Sequence, residues 1–407
     1  MGEMNHVRKA QHDLLKKITM GLAATAMLGA TPATAAERFD ELLGAPGITG
    51  GWGGQREAME ASGLTIEGVY TGEFARNFTA NPVTANGQVK TVYQTNMDLV
   101  IELDTEKAGM WPGGTLHVYG LGNTGSNPTT YTGDLQGYSN IEAPNQYIIY
   151  EAWYQQVFAD GMVSILGGLH DLNSEFYASE YGGLFLNSSF GIGPDMTGNI
   201  AASIFPKAGL GARLRVEPMD GVYVQAAIYD GDPATRGFKA GEGNMVITEA
   251  GFTSGETNAY KIGYWQHSAN VTFAGQNFSK NYGLYGVVDQ QLMQFDSGAA
   301  IGVFGQYGYS PKARNQIYTY IGAGVHMKGI VPTRGDDEFG VGMARADFHA
   351  DAVGSTKVSE TTYEFTYRIQ AAAWLAIQPS FQVIQNPGGD PTAPRVKAGL
   401  LRFEVSL

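Results

Sequence analysis

Thr362-Tyr363-Glu364-Phe365-Thr366-Tyr367-Arg368-Ile369-Gln370 alternates without a break between apolar and polar residues. Successive side chains of an extended strand point to opposite faces, so Tyr363, Phe365, Tyr367 and Ile369 form one row and Thr362, Glu364, Thr366, Arg368 and Gln370 the other. Charges of both signs share the polar row. The stretch 210–217 repeats the arrangement, with Leu210, Ala212, Leu214 and Val216 opposing Arg213, Arg215 and Glu217. Such a strand suits two folds. In a soluble sandwich the charged row is the solvated face, whereas in a membrane barrel the apolar row meets lipid and the charged row lines water. The stretch Leu401-Arg402-Phe403-Glu404-Val405-Ser406-Leu407 is apolar at every odd position and needs a partner along its edge. Closure onto a first strand supplies one and leaves no unpaired backbone in lipid.

Period-two alternation predicts sixteen strands, at 64–76, 90–103, 114–122, 147–158, 161–169, 208–217, 221–230, 245–252, 259–266, 281–293, 299–309, 316–327, 337–347, 358–369, 371–384 and 395–407. The connections after odd-numbered strands (77–89, 123–146, 170–207, 231–244, 267–280, 348–357, 385–394) are mostly long, and the even ones mostly tight. Outer-membrane barrels have this asymmetry, with short periplasmic turns, longer extracellular loops and both termini on the periplasmic side. Two connections break the rule: 310–315 is short and 328–336 is long. Tyr147, Phe158, Trp111, Trp265 and Tyr309 lie near strand ends and are expected to form interfacial girdles. The expected fold is all-β, a sixteen-stranded antiparallel transmembrane barrel.

Composition agrees. Gly 56, 11% aromatics and no cysteine describe many turns and half-buried strands, without disulfides or a thiolate metal site. Arg8, Lys9, Lys16 and Lys17 precede the apolar run Ile18 to Leu28, and Ala33-Thr34-Ala35 provides a small-residue cleavage site. Residues 1–36 therefore read as a secretory signal peptide, the run being too short for a spanning helix. That segment carries four basic and two acidic residues, so without it the net charge of −13 becomes −15. Such an acidic chain repels nucleic acid. Residues 37–63 are expected to form a periplasmic segment with a short helix after Gly50-Gly51-Trp52-Gly53-Gly54, and 64–407 the barrel.

One stretch has no period. Gly167 to Pro206 is rich in Gly, aromatics and small polar groups, and Phe176, Tyr177, Tyr181, Leu184, Phe185, Leu186 and Phe190 carry more apolar surface than a solvated loop. It is expected to pack inside something large. Gly120-Leu121-Gly122-Asn123-Thr124-Gly125 matches a nucleotide-binding glycine pattern, but Ser126-Asn127-Pro128 follows where a helix is required, so it reads as a loop. Asp336-Asp337-Glu338 and Asp230-Gly231-Asp232 lack the spacing of a calcium loop and read as solvated turns. No metal or cofactor is expected.

Five stretches together resemble the carbohydrate-selective porins of the OprB type: Gly51-Trp52-Gly53-Gly54-Gln55-Arg56, Gly168 to Phe176, Phe185 to Gly191, Ala227 to Gly231, and Gln378 to Gly389. They stand in family order and span nearly the whole mature chain. Leu407 departs from the usual terminal aromatic, and Gly51 from the usual Asp before the Trp. The resemblance implies a barrel whose extracellular loops fold inward, narrow the pore and admit sugars, glucose being typical. A sugar offers hydroxyls that donate and accept, plus an apolar ring face. The matching groups are Asp171, Asn173 and Glu175 on the long loop, Arg213 and Arg215 as forked donors on the wall, and Trp153, flanked by Glu151 and Gln155, for stacking. Asp171 and Asn173 could equally cap and turn the loop, and Arg213 could pair with Glu217 as wall structure. The expected partners are small-molecule sugars and outer-membrane lipid, with monomer and homotrimer both open.

Two alternatives stand beside this one. A nonspecific porin differs only in its constriction and shows no sugar-dependent block. An outer-membrane hydrolase finds support in His170, Asp171 and Ser174, but adjacent residues of an extended loop are expected to point apart, and no nucleophile elbow is present.

Overall fold

Alternation along nearly the whole chain yields a closed antiparallel barrel in the computed structural model, which describes residues 47–84, 87–255, 257–350 and 359–407. The expected signal segment 1–36 and its cleavage site lie outside the described residues. The barrel strands are β1 (Leu64–Asn77), β2 (Thr91–Asp104), β3 (Gly114–Gly125), β4 (Gln146–Phe158), β5 (Val163–His170), β6 (Gly209–Met219), β7 (Val222–Asp230), β8 (Asn244–Ser254) and β9 (Asn258–His267). They continue with β12 (Asn281–Gln294), β13 (Ala300–Tyr309), β14 (Ile317–Lys328), β15 (Glu338–Phe348), β16 (Ser359–Ala372), β17 (Leu375–Gln385) and β18 (Val396–Ser406). Strands β10 (Val271–Phe273) and β11 (Gln276–Phe278) form a separate hairpin between β9 and β12. Every barrel strand pairs with its sequence neighbour, and β1 closes on β18 from Val69↔Ser406 to Asn77↔Ala398. The edge presented by the last strand is thereby filled.

The helix α1 (Gln55–Ala61) forms where expected, below the closure seam. Arg56 donates to the Leu407 carbonyl at 2.6 Å and lies 4.8 Å over the Trp52 ring, while the Ile48 amide donates to Ser406. This segment thus ties down the end of β18. Both irregular connections persist: β13–β14 is joined by the short 310–316, and β14–β15 by the long 329–337. The second is folded on itself, since buried Asp337 accepts from Arg334 at 2.6 Å, from Tyr367 and from the Gln370 amide. The solvated-turn expectation is corrected there, and also at buried Asp230, which accepts the Leu210 amide across β6–β7. Among the described residues, no group of His, Asp and Glu is arranged to hold a metal ion.

Which row faces which medium is decided by the wall itself. Exposed side chains at mid-strand are apolar: Phe365 is 46% exposed, Leu214 47% and Ile262 66%. The alternate residues are polar and enclosed, Glu364 being 0% exposed and Arg213 3%. A soluble sandwich has the opposite arrangement; apolar residues outside and a polar interior are the pattern of a membrane barrel. Leu214→Arg, at the middle of β6, is accordingly expected to cost about 2–4 kcal/mol of folding stability in bilayers, measured by denaturant titration in lipid vesicles; a change near zero would place Leu214 away from the lipid. Tyr147, Phe158, Trp111 and Tyr309 are exposed, as a girdle requires. Trp265 is not: its place on β9 puts it on the inward row, wholly buried beside Tyr285. The glycine pattern 120–125 is also strand rather than loop, as β3 runs to Gly125.

Two long connections fold into the lumen. From 171–208, Leu172, Phe176, Tyr177, Ile192 and Met196 pack on Tyr229, Met245, Ile247, Trp265 and Tyr285 of the wall, while Tyr181, Leu184, Phe185 and Phe190 pack on Phe304, Tyr320 and Ala344. The wall makes room through inward glycines. A Cβ on Gly342 would lie 2.8 Å from Phe185 and 2.9 Å from Phe190, and one on Gly308 would lie 2.0 Å from Asp195. From 126–145, Tyr138 packs with Leu186 against the seam. The two segments also join each other, the Asn140 amide donating to Leu186 and the Ser188 amide to Gly137.

Candidate functional site

The constriction begins where β5 ends. Asp171 turns the chain inward, one carboxylate oxygen accepting the Asn173 amide at 2.8 Å and the other the Tyr150 hydroxyl at 2.7 Å. Its own amide donates to Glu151 at 2.9 Å, and Glu151 also accepts from Trp153 Nε1 at 3.2 Å. Burial lifts the Asp171 carboxyl above the ordinary aspartate range, with Tyr150 and the Asn173 amide pulling it back. Asn173 donates to the carbonyls of Phe176 and Gly191, closing the loop on itself. The capping role weighed for Asp171 is therefore real, and Asn173 is bound into the loop.

Four residues on, Glu175 meets the wall. Arg213 Nε and Nη2 grip its two oxygens at 2.7 and 2.6 Å, a forked pair. The remaining Arg213 donors go to Ser164 at 2.6 Å and Gln155 at 2.7 Å. Burial alone would raise the Glu175 carboxyl, but Arg213, His170 and Arg215 outweigh it and hold the group down at about 2. Arg213 does not pair with Glu217. That partner belongs to Arg215, at 2.6 Å, whose guanidinium also lies 3.8 Å over the Tyr223 ring.

Trp153 stays half-exposed on the lumenal row of β4. One face is covered by His117, parallel within 5° at a centroid distance of 4.4 Å. All seven residues singled out from the sequence thus gather on β4, β6 and the start of the loop. Trp153, Arg215, Asp171, Asn173 and Glu175 retain some exposure, whereas Arg213 and Glu151 are buried holders.

Sequence reasoning passed over a second set. Wall carboxylates receive the loop's backbone amides: Glu364 takes Leu186 and Asn187 at 2.8 and 2.9 Å, Glu360 takes Leu135 and Gln136, Asp289 takes Glu180 and Tyr181, and Glu249 takes Tyr177. Each lies on a polar row that was legible, but nothing local says what the row touches. Tyr177 is held at φ 57°, its amide on Glu249, its hydroxyl on Asp195 and its ring 4.1 Å from that of Tyr285. The outlier persists because three partners fix it.

The expectation about His170 is corrected in part. Ser174 Oγ lies 3.2 Å from His170 Nε2, since a tight turn at 172–174 brings them together. The hydroxyl donates to the Asp171 carbonyl at 2.7 Å, however, and His170 Nδ1 faces Tyr229 rather than a carboxylate. The Asp171 side chain points to Tyr150.

A narrowed, polar, loop-lined lumen inside a lipid-facing wall is the anatomy of a diffusion channel. The family model for carbohydrate-selective porins of the OprB family matches residues 90–407. The chain belongs to that family. This OprB-family porin is similar to Porin B of Pseudomonas aeruginosa, at 23% identity over 405 residues covering 84% of this chain and 87% of that protein. The high-pH structure of Pseudomonas putida OprB has the same fold, with a TM-score of 0.81 at 19% identity, covering 89% of this chain and 99% of that one. The low-pH structure of the same protein gives 0.61 at 17% identity over the same shares. The family and these relatives are channels, not enzymes, so the porin is a carbohydrate channel of the Gram-negative outer membrane rather than a barrel hydrolase.

Proposed function

We propose that this porin passes glucose-type monosaccharides by facilitated diffusion, and that the segment 171–208 with its partners on β4 and β6 sets the selectivity. The observation that supports this most directly is Trp153: a half-buried ring backed by His117 on the lumenal row of β4, with Glu151 and Asp171 beside it and Glu175 and Arg215 at β6. A sugar ring stacks on the free aromatic surface while its hydroxyls exchange between carboxylate acceptors and the guanidinium of Arg215. Such contacts are weak and serial, which lets the solute leave as readily as it enters. Arg213 and Glu151 act through the groups they hold. The outward apolar rows meet outer-membrane lipid.

In planar bilayers, glucose is expected to reduce the current through the wild-type channel, and Trp153→Ala and Glu175→Ala to weaken that block. A loss of about 1 kcal/mol for each corresponds to roughly five-fold weaker binding. Equal block in wild type and both variants removes these residues from the site. No block in the wild type, with similar uptake of amino acids and sugars by liposomes, makes the channel a nonspecific porin.

A further inference from the structure

We propose that carboxylates on β2 make the pore discriminate among sugars by charge, passing neutral and amino sugars and holding back sugar acids and sugar phosphates. This rests on the channel being a sugar pathway and adds the substrate class. The inward arginines are already neutralised by carboxylates: Arg213 by Glu175 at 2.6 Å, Arg215 by Glu217 at 2.6 Å, Arg368 by Glu404 at 3.0 Å and Arg402 by Glu73 at 2.7 Å. Among the described residues Asp98 has no such partner. It stands half-buried on the lumenal row of β2, and its donors are the neutral groups of Tyr119, at 2.5 Å, and Asn96, at 2.7 and 2.8 Å. Glu102, four residues on along the same row, is met among the described residues by His117, at 3.1 Å.

Among the described residues these two carboxylates carry charge on the lumenal rows of β2 and β3 that no arginine or lysine meets, and Glu102 reaches the ring of Trp153 through His117. Elsewhere Glu360 and Glu364 are met by backbone amides and a serine hydroxyl, donors that carry no net charge. Uncompensated charge in a passage walled by low dielectric focuses its field on whatever enters. An anionic sugar then meets a repulsion that a neutral one does not. The discrimination is expected to shrink with added salt, because the screening length of roughly 8 Å at physiological ionic strength falls to roughly 3 Å at molar salt.

Liposome swelling with glucose, glucosamine and gluconate, together with the zero-current potential in a KCl gradient, tests this. The wild type is expected to prefer potassium over chloride and to admit gluconate roughly three-fold or more slower than glucose. Asp98→Asn with Glu102→Gln is expected to bring gluconate toward glucose while leaving glucose uptake unchanged; Asp98→Asn alone, which keeps an acceptor for Tyr119 and Asn96, gives a smaller shift in the same direction and serves where the double variant does not assemble. Equal rates for gluconate and glucose in the wild type overturn the proposal, and so does an unaltered ratio in the folded variants. A channel that excludes glucose itself refutes the sugar pathway instead, and the charge preference is still read from the zero-current potential.

Discussion

Glu364→Ala is expected to widen the pore and abolish its discrimination while leaving the barrel closed. The carboxylate lies on the inward row of β16, wholly buried, and accepts the amides of Leu186 and Asn187 together with the Ser380 hydroxyl. Removing it strands two backbone N–H groups in a dry site, at about 1–3 kcal/mol each. The energy of docking a lumenal segment is a local quantity, separable from the global stability of the strands. A shift of roughly 5.5 kcal/mol is enough to carry a two-state segment from almost fully docked to almost fully released. Neighbouring anchors soften the loss, since Gln378 still donates to the Leu184 carbonyl and Gln382 to that of Tyr138. The strand ladder β15–β16–β17 uses none of the Glu364 side chain. The variant should therefore migrate as a folded barrel in cold detergent gels, conduct more per channel and lose sugar block. Glu364→Gln keeps one acceptor oxygen and should fall between. An unchanged conductance and block in Glu364→Ala would show that the segment is held by packing alone.

Why that residue escaped notice in the sequence is instructive. Its strand was legible from period two, because a side chain's face is fixed by parity and each face has its own solvent. The ends of β1, β4 and β12 fall within a residue or two of where the pattern placed them, since turn residues interrupt the alternation at once. Even the two aberrant connections stood where the sequence put them, with Asp337 supplying the reason that the longer one is compact. What parity cannot tell is which inward residue meets water and which meets another segment. Trp265 was assigned to a girdle for its position near a strand end, yet it faces inward and meets the loop. Glu364 and Asp98 look alike in the pattern; one is sealed under Leu186 and the other is half-buried, meeting Tyr119 and Asn96 but no part of the loop. The long aperiodic stretch announces itself as buried through its aromatics, but its partners are spread over the wall from Tyr229 to Glu364, in strands that no local pattern links to it. The glycines at 340 and 342, which read locally as weak strand, have a purpose only once Phe185 and Phe190 are seen to fill the space they leave.

Arg213→Ala is expected to release the start of the lumenal segment, and to do so more severely than loss of its partner. The guanidinium is nearly sealed, and its removal leaves Glu175, a largely buried carboxylate, without its forked partner and with Arg215 as a more distant positive charge; breaking a buried pair from one side costs up to about 3–5 kcal/mol. Glu175→Gln leaves a neutral amide still able to accept from Arg213, so it should cost less. The double variant Arg213→Met with Glu175→Gln should recover much of the loss, because the penalty comes from the unpaired charge rather than from the missing bond. Acid supplies an independent check. The Glu175 carboxyl is held at about 2 against an ordinary value of 4.5, so the folded form binds its proton more weakly than the released form. The stabilisation is fully present above about pH 4.5 and is lost as pH falls toward about 2. Protection of the Phe176 and Tyr177 amides against hydrogen exchange, taken relative to the intrinsic rate at each pH, should fall on acidification across that window in the wild type, and Glu175→Gln should flatten this part of the response. If both proteins loosen in parallel, the acid sensitivity belongs to other carboxylates, and the Arg213 pair contributes geometry but no pH dependence.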